Sequence, residues 1–308
     1  MTSSAQSVVV GVDVGGSKTH IRLEDARSGA LLLDQTATST HWASLSDQER
    51  AKTLRDYVVA TVGDLEVAAL VAGVHGNDSP AQHAILSAPL LDAYAQVDVL
   101  NDSHLVILAE GLHSGTGIIA GTGSSATAVA RDGTVTTVGG WGWVLGDEGG
   151  GAGLVREAAR EVLDAYDRQE ADPLADMLLE ALDIRHPHGL THCLGSTEPR
   201  LWAQVAPVIF AADLAGSPRA RRAIARNVQV MVEMIALLGR RGGDVTTVVC
   251  AGSVFHHQPR LVEEFSAGVA DLSAQTTRVV LLSDAPVAGA LNLARERAGS
   301  KYVIEGLS

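Results

Sequence analysis

Val8-Val9-Val10-Gly11-Val12-Asp13-Val14-Gly15-Gly16-Ser17-Lys18-Thr19 is the stretch that decides the fold. Val8–Val12 reads as a buried strand running into a glycine-rich turn, and Thr19–Leu23 reads as the strand that leaves it. Gly15 and Gly16 permit close backbone approach and unusual φ, so successive N–H groups can converge on an anion. Asp13, at the strand end, is placed to hold a Mg²⁺ ion or its water shell. A P-loop needs a Gly-Lys-Ser/Thr ending and a following helix, whereas here the order is Gly16-Ser17-Lys18 and a strand follows. The Rossmann fingerprint fails for the same reason. A phosphate-binding β-hairpin is left, with an ordinary tight turn as the plain alternative.

Outward from this turn, strands alternate with helices. Ala30–Thr36 continues a meander through a Ser28-Gly29 turn. Ser46 and Glu49 have capping-box spacing, and Leu54, Tyr57, Val58 and Val62 follow at helical intervals, which predicts a helix over Asp47–Val62. Val67–Val74 and Val97–Leu100 read as buried strands, and Leu105–Ala109 as helical. A second meander is expected at Gly117–Gly121, Ser125–Ala130 and Thr134–Val138. Beyond it lie a helical segment from about Gly153 to Leu182, a helix at Arg226–Leu238, strands at Thr246–Ala251 and Arg278–Ser283, and a closing helix at Ala288–Ala298. Strand, small-residue turn, strand occurs at Val8–Leu23 and again at Gly117–Ala130, a weak internal duplication that suggests two related lobes with a ligand cleft between them.

Composition narrows the class. At about 150 residues per domain, 308 residues suggest two lobes or one large α/β domain. Lys plus Arg (23) less Asp plus Glu (36) gives −13, and with a pI near 5.2 this disfavours a nucleic-acid surface. No apolar run reaches membrane-spanning length, and the first residues lack the basic start of a signal peptide. Two cysteines, Cys193 and Cys250, make no disulfide framework and fit a reducing compartment. The expectation is an acidic, cytoplasmic protein with no nucleic-acid or membrane partner.

Four further stretches carry chemistry. Ala120-Gly121-Thr122-Gly123-Ser124-Ser125 repeats the glycine-and-hydroxyl logic of a phosphate turn. Asp102, in Leu100-Asn101-Asp102-Ser103, stands at a strand end where a general base belongs; locally it also suits a helix N-cap. Gly139-Gly140-Trp141-Gly142-Trp143-Val144-Leu145-Gly146-Asp147-Glu148-Gly149-Gly150-Gly151 sets two aromatic rings and two acids among glycines. Such a mixture suits a sugar, or else a glycine-rich connector with one Trp as a core plug. Val249-Cys250-Ala251-Gly252-Ser253-Val254 is a strand entering a turn small enough to pass an adenine ring. His186, His188, His192 and Cys193 have a metal-like composition but read more simply as a polar loop, and His256-His257 as a helix start. Arg219, Arg221, Arg222 and Arg226 read as a solvated helix face.

In this order the motifs resemble the N-acetylglucosamine kinase branch of the BadF/BadG/BcrA/BcrD ATPase family, within the actin-like ATPase and sugar kinase superfamily, over about Val8 to Ala298. The resemblance implies an α/β fold of two actin-like, ribonuclease H-like lobes around a nucleotide and sugar cleft. The lobes would be 1–112, with the C-terminal helix at about 290–308 completing it, and 113–289. It also implies ATP and Mg²⁺ as cofactors, a homodimer, and phosphorylation of the 6-hydroxyl of N-acetylglucosamine or glucosamine with lobe closure excluding water. Carried over by position, Asp13 serves Mg²⁺, and Gly15, Gly16, Ser17 and Lys18 form the first phosphate motif. Gly121, Thr122, Gly123 and Ser124 form the second, Ala251, Gly252 and Ser253 the adenosine motif, and Asp102 the catalytic base. Thr40, His41, Trp42, His75, Asn101, Trp141, Gly142, Asp147 and Glu148 fall on the sugar side. Thr40 stands where the family has Asn, and the His75-Gly76-Asn77-Asp78 loop replaces a Ser-Gly-rich one. Two rivals are a dehydratase-activator ATPase with a cysteine-held iron–sulfur cluster and a non-enzymatic sugar sensor of the repressor type. The first has only Cys193 outside a predicted strand, and the second has only Met1–Ser7 ahead of the first strand for a DNA-binding module.

Overall fold

The computed structural model describes residues 6–16, 18–39, 42–272 and 277–299. Among the described residues ten strands run in chain order: β1 Ser7–Val14, β2 Lys18–Asp25, β3 Leu31–Thr38, β4 Glu66–Val74, β5 Val97–Asn101, β6 Gly115–Ala120, β7 Ser124–Val129, β8 Val135–Gly139, β9 Thr247–Ala251 and β10 Arg278–Leu281. The first six helices are α1 Asp47–Val62, α2 Pro80–Leu91, α3 Asp102–Ala109, α4 Gly151–Arg168, α5 Pro173–Ala181 and α6 Gly189–Ser196. The remainder are α7 Pro199–Trp202, α8 Ala206–Leu214, α9 Pro218–Arg240, α10 Ser253–His257, α11 Pro259–Leu272 and α12 Val287–Arg297. Short 3₁₀ turns sit at Trp42–Ser44 and Ala203–Val205.

The chain divides into two units, Met1–His113 with Leu282–Ser308, and Ser114–Leu281. The second boundary therefore falls at Leu282, ahead of the expected 289. Arg22 on β2 pairs with Asp284 at 3.2 Å, so the segment leading into α12 already belongs to the first unit.

The first unit holds a five-stranded sheet in the order β3-β2-β1-β4-β5. β1 runs antiparallel to β2 and parallel to β4. Val8, Val10, Val12 and Val14 of β1 enter one core with Leu54, Val58, Leu86 and Leu90 of α1 and α2. Val9 enters a second core with Leu105 and Leu108 of α3 and Leu291 and Ala294 of α12, as the period-two alternation of a strand requires. Two glycines let α12 seat: a Cβ on Gly11 would stand 3.0 Å from the Leu291 amide nitrogen, and one on Gly289 would stand 2.1 Å from the Leu105 carbonyl oxygen.

The second unit repeats the plan with the order β10-β9-β6-β7-β8. β6 is antiparallel to β7 and parallel to β9, matching the way β1 meets β2 and β4. The duplication visible at Val8–Leu23 and Gly117–Ala130 thus extends to whole sheets. One core spans this unit, from Ile118 and Ala126 of the sheet through Leu154, Val155 and Val162 of α4 to Met231 and Ile235 of α9.

α1 spans Asp47–Val62 with the Ser46–Glu49 capping box closed in both directions. Other expectations need correction. The helical stretch 153–182 is two helices: Gln169 adopts a left-handed φ of 57° that ends α4, and Asp172 caps α5 with Pro173 in its first turn. The helix expected at Arg226 begins at Pro218, where the Ser217 hydroxyl accepts the Ala220 amide at 2.9 Å. That moves the arginine cluster into the first turns of α9. Arg219 is buried and pairs with Glu161, Asp164 and Glu170, so it is an interhelix anchor and not part of a solvated face. Arg222 reaches Glu161 and Arg226 reaches Glu157, tying α9 to α4. His256 and His257 end α10; they do not begin a helix. The His186 and His188 rings stack at 4.7 Å against Tyr166, and no group of three or more His, Cys, Asp or Glu among the described residues is arranged to hold a metal. No described helix is long and apolar enough to cross a membrane.

Candidate active site

In the first unit the site grows from two strand ends. Asp13 is the penultimate residue of β1, with His20 opposite it on β2 and Gly73 on β4. β1 gives way to a tight turn in which the Gly15 amide donates to the Lys18 carbonyl at 2.9 Å. Neither Gly15 nor Gly16 has a positive φ, and a Cβ on Gly16 would stand 3.9 Å from the His75 ring, an ordinary van der Waals contact. Asp13 is 9% exposed, and its carboxyl is pushed up to about 7, first by burial, then by the Asp102 charge, against Lys18 and His75, which pull it down. Ser17, Thr40 and His41 lie outside the described residues.

Asp102 opens α3 directly after β5 and is buried. The N-cap is Asn101, whose side-chain Oδ1 accepts the Ser103 amide at 3.0 Å, so the cap reading of Asp102 gives way to its neighbour. Asn101 also donates to Asp78 at 2.7 Å and to the Asn77 carbonyl at 3.3 Å, which uses its amide to fix the loop after β4. The Asp102 Oδ1 accepts the Ser103 amide at 3.0 Å, and its Oδ2 lies 3.5 Å from His75 Nδ1. Trp42 is buried, and its indole N–H donates to the His75 carbonyl at 3.1 Å. Its place is therefore beneath the His75 loop. Asp13, Asp78 and Asp102 thus share one neighbourhood with His75. The carboxyl of Asp78 is likewise raised, by burial and then by Asp102, against the pull of His75, the Asn101 hydrogen bond and Arg50.

This charge pattern has a measurable consequence. In metal-free, nucleotide-free protein, folded Asp13 keeps its proton up to about pH 7, while the unfolded chain releases it near 3.8. Between those values the folded state binds more protons, so this group's contribution makes stability fall as pH rises and level off above the folded value. Asp13→Asn removes that penalty. With a chelator present, the variant is expected to melt above wild type at pH 8 and with it near pH 4. A variant that melts below wild type at pH 8 contradicts the assignment.

In the second unit, the Gly121-Thr122-Gly123 turn joins β6 to β7, with Ser124 already in the strand. The first two amides of α4, Gly151 and Ala152, donate to the Gly121 and Thr122 carbonyls at 2.8 and 2.9 Å. Among the described residues neither the Thr122 nor the Gly123 amide donates to another backbone group. That leaves two donors in a turn half open to solvent, the arrangement an anion needs. Gly150 makes the contact possible, because a Cβ there would stand 2.5 Å from the Gly123 carbonyl carbon.

The block before α4 is brought onto the same turn. Asp147 adopts a left-handed φ of 66°, and its carboxylate lies over Gly123, 2.4 Å from where a Cβ would stand. Ser124 donates to the Glu148 carbonyl at 2.6 Å. One oxygen of the Glu148 carboxylate is held by Arg156 at 2.7 Å. Arg156, buried, also donates to the Trp143 and Gly146 carbonyls and to Glu157. Trp143 packs edge-on against Trp202 at 5.2 Å and is the core plug, whereas Trp141 is 74% exposed, beside Gly142 at a φ of 78°. After β9, which ends at Ala251, Gly252 takes a φ of 103° against Ala120, where a Cβ would stand 2.3 Å from the carbonyl oxygen, and Ser253 opens α10. The second phosphate turn, the glycine-rich block and the adenosine-like turn therefore meet at one end of the second sheet.

Arg156, Asn227 and Asp78 were missed in the sequence. Asn227 is fully buried and accepts the Gly149 amide at 2.7 Å. Arg156 had a local signal, lying beside Val155 on a helix whose stripe also carries Ala152 and Ala159. Asn227 had a weaker one, a polar residue among the apolar positions of α9.

A model of the BadF/BadG/BcrA/BcrD ATPase family matches residues 10–294. The chain belongs to the BadF/BadG/BcrA/BcrD ATPase family. It is 25% identical over 307 residues to the N-acetylmuramic acid/N-acetylglucosamine kinase of Clostridium acetobutylicum, covering 93% of this chain and 98% of that one. It is 25% identical over 228 residues to the N-acetyl-D-glucosamine kinase of Dictyostelium discoideum, with coverage of 67% and 71%. Among solved structures, a Chromobacterium violaceum protein provisionally assigned as an N-acetylglucosamine kinase superposes with a TM-score of 0.72 at 22% identity, covering 93% of this chain and 98% of that one. A ROK family glucokinase from Streptomyces griseus superposes at 0.59 and 16%, with coverage of 93% and 98%. These likenesses show the actin-like α/β fold for this family member.

Proposed function

We propose that the protein transfers the γ-phosphoryl group of ATP to the 6-hydroxyl of a hexosamine. The observation that carries this reading is the buried Asp102 carboxylate at the β5–α3 junction, held on both oxygens and set in the field of Asp13. Phosphoryl transfer needs positioning and charge neutralisation more than covalent chemistry. In this scheme Asp102 accepts the sugar hydroxyl proton as the hydroxyl oxygen bonds to phosphorus and ADP leaves. The Thr122 and Gly123 amides and the turn that ends at Lys18 bind phosphate oxygens, and the Gly252 turn admits the adenine.

The residues fit Mg²⁺. Among the described residues nothing donates a hydrogen bond to the buried Asp13 carboxylate, and Asp102 raises it more than either Lys18 or His75 lowers it, a setting that suits an oxygen-seeking cation. When bound, Mg²⁺ supplies charge neutralisation on the phosphates, and Asp13 would hold it, directly or through water.

Of the two acids that would favour a free ammonium at C2, Glu148 already has its charge compensated by Arg156. Trp141 offers an exposed apolar face for a methyl group. Both curated relatives are named for N-acetyl sugars. The reading therefore favours N-acetylglucosamine over glucosamine. Comparing kcat/KM for N-acetylglucosamine, glucosamine, N-acetylmuramic acid and glucose tests it: preference for an N-acetyl sugar is expected, and preference for glucose contradicts it. The iron–sulfur rival loses ground because Cys250 is fully buried in β9, where burial pushes its thiol away from the thiolate a cluster requires.

A further inference from the structure

We propose that His75 is the positioning residue for Asp102, holding the carboxylate in line for the acceptor hydroxyl; this rests on the kinase reading above. The His75 backbone is pinned on both sides. Its amide donates to the Val14 carbonyl, just past Asp13, at 2.8 Å, and its carbonyl accepts the Trp42 indole at 3.1 Å. Trp42 is itself clamped, since Arg50 donates to its carbonyl at 3.0 Å and lies 6.0 Å above its ring. The His75 Nδ1 faces the Asp102 Oδ2 at 3.5 Å, and the Cδ2–Nε2 edge lies over Gly16 of the first phosphate turn.

The other Asp102 oxygen takes the Ser103 amide at 3.0 Å, so the carboxylate plane is fixed between a helix amide and the imidazole. A base oriented by a third group is the usual arrangement of an activated proton acceptor. The 3.5 Å separation is ion-pair distance, and such contacts tighten when substrate binds. Asp102 from α3 faces Nδ1, Asp13 from β1 and Asp78 from the same loop lie in the field of the ring, and Arg50 from α1 also reaches this loop.

Three variants separate this role from a merely structural one: His75→Ala, His75→Asn and His75→Gln. The Asn amide nitrogen occupies the place of Nδ1, and the Gln amide nitrogen that of Nε2. Steady-state ADP release is measured with N-acetylglucosamine and ATP, along with melting temperatures. The Ala variant is expected to lose kcat about 10- to 100-fold, the cost of a misplaced catalytic group, with both KM values near wild type. Asn is expected to recover most of that loss and Gln little. Wild-type kcat in all three overturns the proposal, and so does recovery by Gln but not Asn, which would place the ring's work on the Gly16 side. If the Ala variant fails to fold, the Asn–Gln contrast still decides. A wild-type protein without sugar-dependent ADP release overturns the kinase reading and the proposal together, which distinguishes that failure from the failure of His75 alone.

Discussion

Asp102→Asn is expected to fold as wild type and to lose kcat by about 10²- to 10⁴-fold, the usual contribution of a placed general base. The amide is nearly isosteric, and its oxygen can still accept the Ser103 amide that Asp102 accepts at 3.0 Å. The helix start is secured independently by Asn101. A fall in activity then reports proton acceptance and not a lost cap. Binding of ATP and sugar, measured by calorimetry, is expected to persist. Retention of more than about a third of wild-type kcat, far outside the range for a lost base, would remove Asp102 from the chemistry.

The second large effect is structural. Arg156→Met keeps much of the aliphatic stem but removes the guanidinium that joins the Trp143 and Gly146 carbonyls to Glu148 and Glu157. Breaking a buried ion pair by deleting one partner costs about 3–5 kcal/mol, because the other charge is left without compensation. In a unit of this size that lowers the melting temperature by roughly 10 °C. Because Arg156 pins the backbone of the block ahead of Asp147, KM for the sugar is expected to rise as well. A melting temperature within about 2 °C of wild type would show that the block does not depend on this residue.

Much of the fold was legible because its signals are local. The Ser46–Glu49 box lies within one helical turn, and the two meanders announce themselves through glycine-rich turns between β-branched runs. The breaks that were missed depend on conformation more than pattern: Gln169 carries no sequence mark of a left-handed cap, yet it divides α4 from α5. The arginines of α9 read as a solvated face because their partners lie far off along the chain; Arg219 meets Glu161 across 58 residues. The same limit applies at the site. The adjacency of Asp147 and Glu148 suggested a carboxylate pair, but one of them is already paired with Arg156. Asp102 was legible as a base or a cap, and only the side chain of Asn101 decides which residue caps.

The measurement that bears most directly on the proposed reaction is the fate of the terminal phosphate. The protein is incubated with ATP labelled at the γ-position, Mg²⁺ and N-acetylglucosamine, and the products are separated. Label in a hexosamine phosphate, in step with ADP formed and absent with Asp102→Asn, is the expected result. Label found only in inorganic phosphate, at a rate the sugar does not change, would contradict a sugar kinase and leave an ATPase of another kind.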